Sequence, residues 1–223
     1  MANKPTEQEL RQQNVAEAVS KTELFFQKNG KLIYGCVAAI LVIALAILAY
    51  NRFYLQPKKA EAQAEMFKAE QKFAQGDFEL ALTGDDNNLG FADIIDKYGV
   101  KGGESVYLYA GACALNLGQF DDAIAYFKKY DGKDRILLSR AQAGMGDAYV
   151  GLEDYKAALA AYEKAAATAD NMFAAGYLLK AGQVAEELGE MDQAVSFYKK
   201  IKDKYPQAPE AMDIDKYITR IEF

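Results

Sequence analysis

Three alanines, Ala123, Ala158 and Ala194, recur 35 and 36 residues apart inside closely similar stretches. The stretches read Leu117-Gly118-Gln119-Phe120-Asp121-Asp122-Ala123-Ile124-Ala125-Tyr126-Phe127, Leu152-Glu153-Asp154-Tyr155-Lys156-Ala157-Ala158-Leu159-Ala160-Ala161-Tyr162 and Leu188-Gly189-Glu190-Met191-Asp192-Gln193-Ala194-Val195-Ser196-Phe197-Tyr198. Gly111, Gly146 and Gly182 keep the same step. A fixed period of this length means that each unit is one helical hairpin, too thin to bury its apolar face alone, which must stack on its neighbours. Such a chain works by presenting a surface. The repeat therefore argues for binding before any single residue is considered.

The positions have separate physical reasons. Glycine in mid-helix costs roughly 1 kcal/mol against alanine. That cost is tolerable where the missing side chain at Gly111, Gly146 and Gly182 lets a second helix come close. Ala123, Ala158 and Ala194 are the matching small positions on the second helix. Phe120, Tyr155 and Met191 follow the turn, and Phe127, Tyr162 and Tyr198 come seven residues later on the same helical face. Three copies in register at several positions disfavour an ordinary amphipathic bundle.

This pattern resembles the tetratricopeptide repeat family, a helix-turn-helix unit of about 34 residues. The resemblance covers Glu104 to Tyr205, with Pro206 where the family often has a closing proline. The family's early Trp is replaced by Tyr107, Gln142 and Leu178, and its late Ala by Tyr130, Ala165 and Ile201. A weaker fourth copy begins at Phe73-Ala74-Gln75-Gly76-Asp77-Phe78. Its interval of 42 from Ala81 to Ala123 requires an insertion. The turn formers Thr83-Gly84-Asp85-Asp86-Asn87-Asn88 mark its place, with the helix resuming over Phe91–Tyr98 and stopping at Gly99. The expected fold is all-α: a membrane helix over residues 32–55, a degenerate first repeat over 56–103, three repeats over 104–205, and a capping segment over 206–223. In that last segment the apolar spacing of Met212 or Ile214, Tyr217, Ile218 and Ile221 predicts a helix over Glu210–Ile221, packed on Met191–Tyr205.

Leu32–Tyr50 is nineteen residues without a charge. As a helix it spans about 28 Å, close to the hydrocarbon thickness of a bilayer. Its ten Leu, Ile and Val residues favour insertion by on the order of 3–6 kcal/mol. Tyr34, Tyr50 and Tyr54 fall near the two interfaces, where aromatic rings settle. A cleaved signal peptide has a shorter apolar core behind a short basic segment, whereas thirty-one residues come first here, so an uncleaved anchor is expected. Lys21, Lys28 and Lys31 before the span and Arg52, Lys58, Lys59 and Lys68 after it leave the positive-inside rule undecided. The N-terminus is expected inside, because exporting a tail with nine charges is harder than letting the span act as a start signal.

The tail, residues 1–31, reads as a short helix of its own, with a Thr6-x-x-Glu9 capping box and a stop at Asn29-Gly30. Its loose apolar stripe leaves a membrane surface, a partner or disorder open as its destination. The tail has a net charge of +1 and residues from Asn51 onward a net charge of −7. So acidic a domain is a poor partner for nucleic acid, which needs Lys and Arg on one face. Lys199, Lys200, Lys202 and Lys204 form the one basic cluster, read as a solvated helix face.

The chemistry expected of an enzyme is missing. The chain has no histidine, the commonest general base and metal ligand. Cys36 sits in the span and Cys113 on a repeat helix, so no disulfide joins them. No phosphate-cradling glycine loop is present, and Asp85-Asp86-Asn87-Asn88 lacks the spacing and closing glutamate of a calcium loop. No cofactor, metal, catalytic residue or small-molecule substrate is expected.

The repeat resemblance implies that the first helix of each unit lines a concave groove. Carried onto this chain, the groove positions are Met66, Glu70, Phe73, Leu108, Ala112, Leu115, Asn116, Arg140, Asp147, Val150, Leu179, Gln183, Glu186 and Glu187. For Leu108, Leu115 and Leu179, packing between repeats is an equal alternative. The Lys/Asn arrangement that clamps a C-terminal carboxylate in some members is lacking. A mixed apolar and acidic groove suits extended polypeptide or a partner helix. The layout of tail, single span and repeats is similar to that of the bacterial ancillary Sec translocon subunit family. That resemblance implies an inner-membrane protein with periplasmic repeats that associates with the translocon and periplasmic chaperones. A scaffold for an envelope or division complex, or a regulatory subunit of a membrane enzyme, would use the same groove.

Overall fold

The computed structural model describes residues 7–222, with side chains from Lys28 onward, and no strand occurs among the described residues. The chain divides between Pro57 and Lys58 into two units. The first contains α1, Glu7–Tyr50, followed by a π-helical turn over Asn51–Leu55. The turn has a local cause. Pro57 has no N–H to offer a carbonyl one turn back, and its ring crowds that carbonyl. The wider turn relieves this, with the Gln56 N–H reaching back to the Asn51 carbonyl.

The expected stop at Asn29-Gly30 is overturned, because α1 runs through both residues. A mid-helix glycine costs only about 1 kcal/mol, too little to end a helix without a left-handed cap. Tail and span therefore share one helix, with no boundary at residue 31. Thr6 of the proposed capping box lies outside the described residues. The apolar part of this helix has a mean hydropathy of 2.9 and no buried residue, so it is long and apolar enough to cross a membrane.

The second unit is an array of helices. After α2, Gln56–Ala74, come α3, Phe78–Thr83, and α4, Phe91–Tyr98. Three hairpins follow: α5, Val106–Asn116, with α6, Phe120–Lys129; α7, Arg135–Gly151, with α8, Tyr155–Ala169; and α9, Phe173–Glu187, with α10, Met191–Lys204. A short helix α11, Ile214–Glu222, closes the array.

The first repeat has its second helix broken into α3 and α4 around the insertion. There Asp85 Oδ1 accepts from the Asn87 and Asn88 N–H groups at 2.9 and 2.8 Å, so this carboxylate holds its own turn. Those bonds also lower its pKa.

The repeat register holds in detail. Ala123, Ala158 and Ala194 are fully buried. The glycines serve rings rather than helix backbones. A Cβ on Gly111 would sit 2.7 Å from the Phe127 ring, and one on Gly146 2.5 Å from Tyr162, while Gly182 faces Tyr198 in the same way. Each glycine thus receives the aromatic that its own second helix carries.

The turn within each hairpin needs one left-handed residue. Gly118 and Gly189 supply it at φ 74° and 77°, but the second hairpin has Glu153 there at φ 59°. A side chain in this region costs about 1–2 kcal/mol, partly offset by the greater freedom that glycine has when unfolded. Glu153→Gly is expected to raise stability by about 0.5–1 kcal/mol in denaturant unfolding.

Cys113 is fully buried on α5, and burial pushes its thiol up to about 12. At pH 8 about one molecule in ten thousand then carries a thiolate, roughly a thousandfold fewer than for an exposed cysteine. Thiol labelling of a Cys36→Ser chain is expected to slow by that factor until denaturant is added. The folded thiol holds its proton longer than the unfolded one. Its stabilising contribution is therefore complete below the unfolded pKa, about 8.5, and is lost as pH rises toward about 12.

The closing helix packs on α10 as expected, burying Ile214 and Ile218. It begins at Ile214 rather than Glu210, since Pro209–Ala211 forms a 3-10 turn and leaves Met212 in solvent. The basic cluster of α10 is a paired face, not a merely solvated one: Lys199 meets Glu222 at 2.7 Å, Lys202 meets Asp215 at 2.6 Å and Lys204 meets Asp170 at 2.5 Å.

Candidate functional site

The first helices of the hairpins line a hollow of about 600 Å³ in the second unit. Glu70 and Phe73 come from α2, Leu108, Ala112 and Leu115 from α5, and Arg140 and Asp147 from α7. Helical spacing puts Leu108, Ala112 and Leu115 on one face, and Arg140 and Asp147 likewise. Tyr109, Leu137, Tyr177 and Lys180, which the repeat resemblance did not supply, complete the walls.

Two features shape the floor. Phe73 and Phe91 both pack on Tyr109, each with ring centroids 5.2 Å apart, the first edge-on and the second stacked. Phe127 of α6 is wedged between the two first helices beside it. Its ring fills the space left by Gly111 on α5 and by Gly144 on α7, where a Cβ would lie 2.5 Å away.

The charges in this hollow differ in what they are free to do. Asp147 Oδ1 accepts from the Tyr162 hydroxyl at 2.6 Å and from Lys180 Nζ at 2.5 Å, so it is already engaged. Arg140 and Glu70 make no hydrogen bond or ion pair among the described residues. Partial burial raises the pKa of the Glu70 carboxyl. The hollow therefore offers one anionic and one cationic group, each without a partner, beside an aromatic and aliphatic floor.

A second hollow of about 610 Å³ includes Val150, Gln183, Glu186 and Glu187, with Tyr155, Tyr162, Tyr217 and Arg220, and shares Lys180 with its neighbour. Here Glu186 repeats the Asp147 arrangement. Its Oε1 accepts from the Tyr198 hydroxyl at 2.5 Å, and Arg220 of α11 donates to both of its oxygens at 2.7 and 2.5 Å. Burial, followed by the carboxylate bond, drives the Tyr162 and Tyr198 hydroxyls far above the ordinary tyrosine range.

Three expected groove residues lie elsewhere. Met66 is only 4% exposed and belongs to the core, because the broken second helix of the first repeat turns that face of α2 inward. Leu179 packs against the core of the last two hairpins, the alternative considered for it. Asn116 is exposed at the end of α5, where its amide donates to the Ala112 carbonyl at 2.8 Å. The residues missed were the tyrosines, Leu137, Lys180 and Arg220. The readable signal was Tyr at 162 and 198 against Phe at 127; the carboxylates they meet keep no common step, standing 15 and 12 residues earlier. Among the described residues no His, Cys, Asp and Glu cluster is arranged to hold a metal.

Two stretches of this chain match models of the tetratricopeptide repeat, residues 105–131 and residues 144–209. No curated protein matches. Among solved structures, one crystal structure of MamA protein aligns with a TM-score of 0.57 at 22% identity, over 73% of this chain and 84% of that one. A second crystal structure of MamA aligns with a TM-score of 0.51 at 23% identity, over 69% and 92%. At these identities the likeness is one of fold. The chain carries tetratricopeptide repeats, an architecture that binds other proteins, behind a helix long and apolar enough to cross a membrane.

Proposed function

We propose that this chain is a membrane-anchored binding protein of the bacterial inner membrane. In this reading Leu32–Tyr50 crosses the bilayer, the tail stays in the cytoplasm, and the repeats hold polypeptide in the periplasm at the translocon. The observation that carries the binding part is the pair Glu70 and Arg140, unpartnered among the described residues beside an apolar floor. A segment with an aromatic or aliphatic side chain would cover Phe73, Leu108 and Tyr177. A lysine or arginine of the same segment would favour the ionised form of Glu70, which partial burial disfavours. Arg140 would accept a carboxylate or a chain carbonyl.

The layout of tail, span and repeats supports the envelope and translocon part. A photocrosslinking residue at Arg140 in living cells is expected to capture translocon subunits, periplasmic chaperones and nascent secreted chains. Capture of division or envelope-assembly proteins alone, or of one stoichiometric enzyme, would sink the translocon reading. A reporter active only in the periplasm, fused after Phe223, is expected to be active.

A further inference from the structure

The turns that join one hairpin to the next make a second surface, built differently from the groove. Contacts show that these turns are neighbours. Arg135 Nε donates to the Thr168 carbonyl at 3.0 Å, Lys204 pairs with Asp170 at 2.5 Å, and the Glu104 carboxylate lies beside Gly132. The edge continues to α2, where Lys97 lies 3.6 Å from Glu61, and to the closing segment, where Glu210 reaches the first turn of α9 at Gly176.

Large apolar side chains stand in solvent along this edge at a step of 36 residues: Val100 at 54% exposure, Ile136 at 44% and Met172 at 57%. Phe173 and Met212 extend the row, at 51% and 87%.

Charge is sorted across the domain in a way that helix dipoles favour. Except for α8, whose last turn holds no basic residue, the second helices end on this edge with Lys97, Lys128, Lys129, Lys202 and Lys204 in their last turns. They begin on the opposite edge with Glu79, Asp121, Asp122 and Asp192 in their first turns. Lys128 and Lys129 make no ion pair among the described residues. Acids share this edge: Asp134 caps α7 and Asp170 is held by Lys204, while Glu104 and Asp131 lie near Tyr130. The opposite edge also shows Leu117, Leu152 and Met191, but among acidic groups that anionic lipid would repel.

We propose that the edge carrying Val100, Ile136, Met172 and Phe173 docks on an anionic bilayer surface. The apolar side chains would enter the headgroup boundary, and Lys128 and Lys129, which make no ion pair among the described residues, would meet lipid phosphates. Two observations select this occupant. Apolar tips flanked by lysine are the combination that anionic interfaces attract. Lys58, at the start of the domain, comes only eight positions after Tyr50 ends the charge-free stretch, so the domain is tethered close to any bilayer that the stretch crosses. The inference does not depend on what the groove binds.

The test uses the full chain in lipid nanodiscs, with Cys36→Ser and a polarity-sensitive fluorophore on Met172→Cys or, as control, on Leu152→Cys. Brominated lipids report contact. In discs containing phosphatidylglycerol the probe at 172 is expected to shift to the blue and lose about half its emission, consistent with a depth of about 5–10 Å into the boundary. The probe at 152 should be nearly unchanged. Lys128→Glu with Lys129→Glu should reverse most of the loss at 172, as should neutral lipid. Equal quenching at the two positions, or none at 172, overturns the proposal. A probe at 172 that is already shielded in detergent overturns it too, because a protein or a second copy would then cover the edge.

Discussion

Removing the residues after Pro206 is expected to lower the unfolding free energy by roughly 3–6 kcal/mol, at about 1.5–3 kcal/mol for each large apolar side chain taken from the core. The two side chains are Ile214 and Ile218, which α11 buries against α10. The truncation also removes Arg220 from Glu186 and uncovers Tyr198 and Ile201, both fully buried in the intact array. A last hairpin without a polar outer cover exposes its apolar side, which repeat arrays avoid. Denaturant unfolding of truncated and full-length chains gives the difference. Hydrogen exchange should show the loss concentrated in α9 and α10, with α5 and α6 less affected. A truncated chain that stays monomeric and equally stable would mean that α11 is free for a partner.

Ala158→Leu is expected to cost about 1–3 kcal/mol through overpacking. Ala158 is fully buried on α8, in a core that extends from Ala143 to Ile218. A side chain with three more carbons has nowhere to go without moving Tyr162 or a neighbouring helix. At about 2–4 °C per kcal/mol for a domain of this size, the thermal midpoint should fall by several degrees. Neighbouring hairpins share that core, so the effect should spread beyond α8. An unchanged midpoint would mean that Ala158 does not sit at a close helix crossing.

How far the sequence could be read depended on whether a signal was local. The buried alanines and the facing glycines repeat within one hairpin, so three copies exposed them. The break between α3 and α4 was legible because its turn formers and the long interval to Ala123 coincide. The stop at Asn29-Gly30 misled because a glycine that would cap a helix in the left-handed region is nearly harmless inside one. Met66 misled because the register was carried across an insertion, and the broken second helix changes which side of α2 is covered. Glu186 was legible as a groove position, yet its occupation by Arg220 was not, since that bond joins residues 34 apart with no periodic mark. The apolar edge residues went unnoticed for a related reason: Val100, Ile136 and Met172 share a step but have no common residue type.

The three hairpin rings differ in how they tie the array together. Tyr162 and Tyr198 each end in a hydroxyl bonded to a carboxylate on the first helix of the same hairpin, and a hydrogen bond fixes both distance and direction. Phe127 has no such tether. It fills the gap between Gly111 and Gly144 by shape alone, and contact of this kind sets how close two helices come without fixing their angle. The α5–α7 crossing is then the compliant joint of the series, whereas at the next one Lys180 of α9 pairs with Asp147 of α7. Bending along the array would gather at that crossing, which lies directly under the floor of the first hollow. A bound segment could thus set the curvature of its own seat while the end of the array near α11 kept its form.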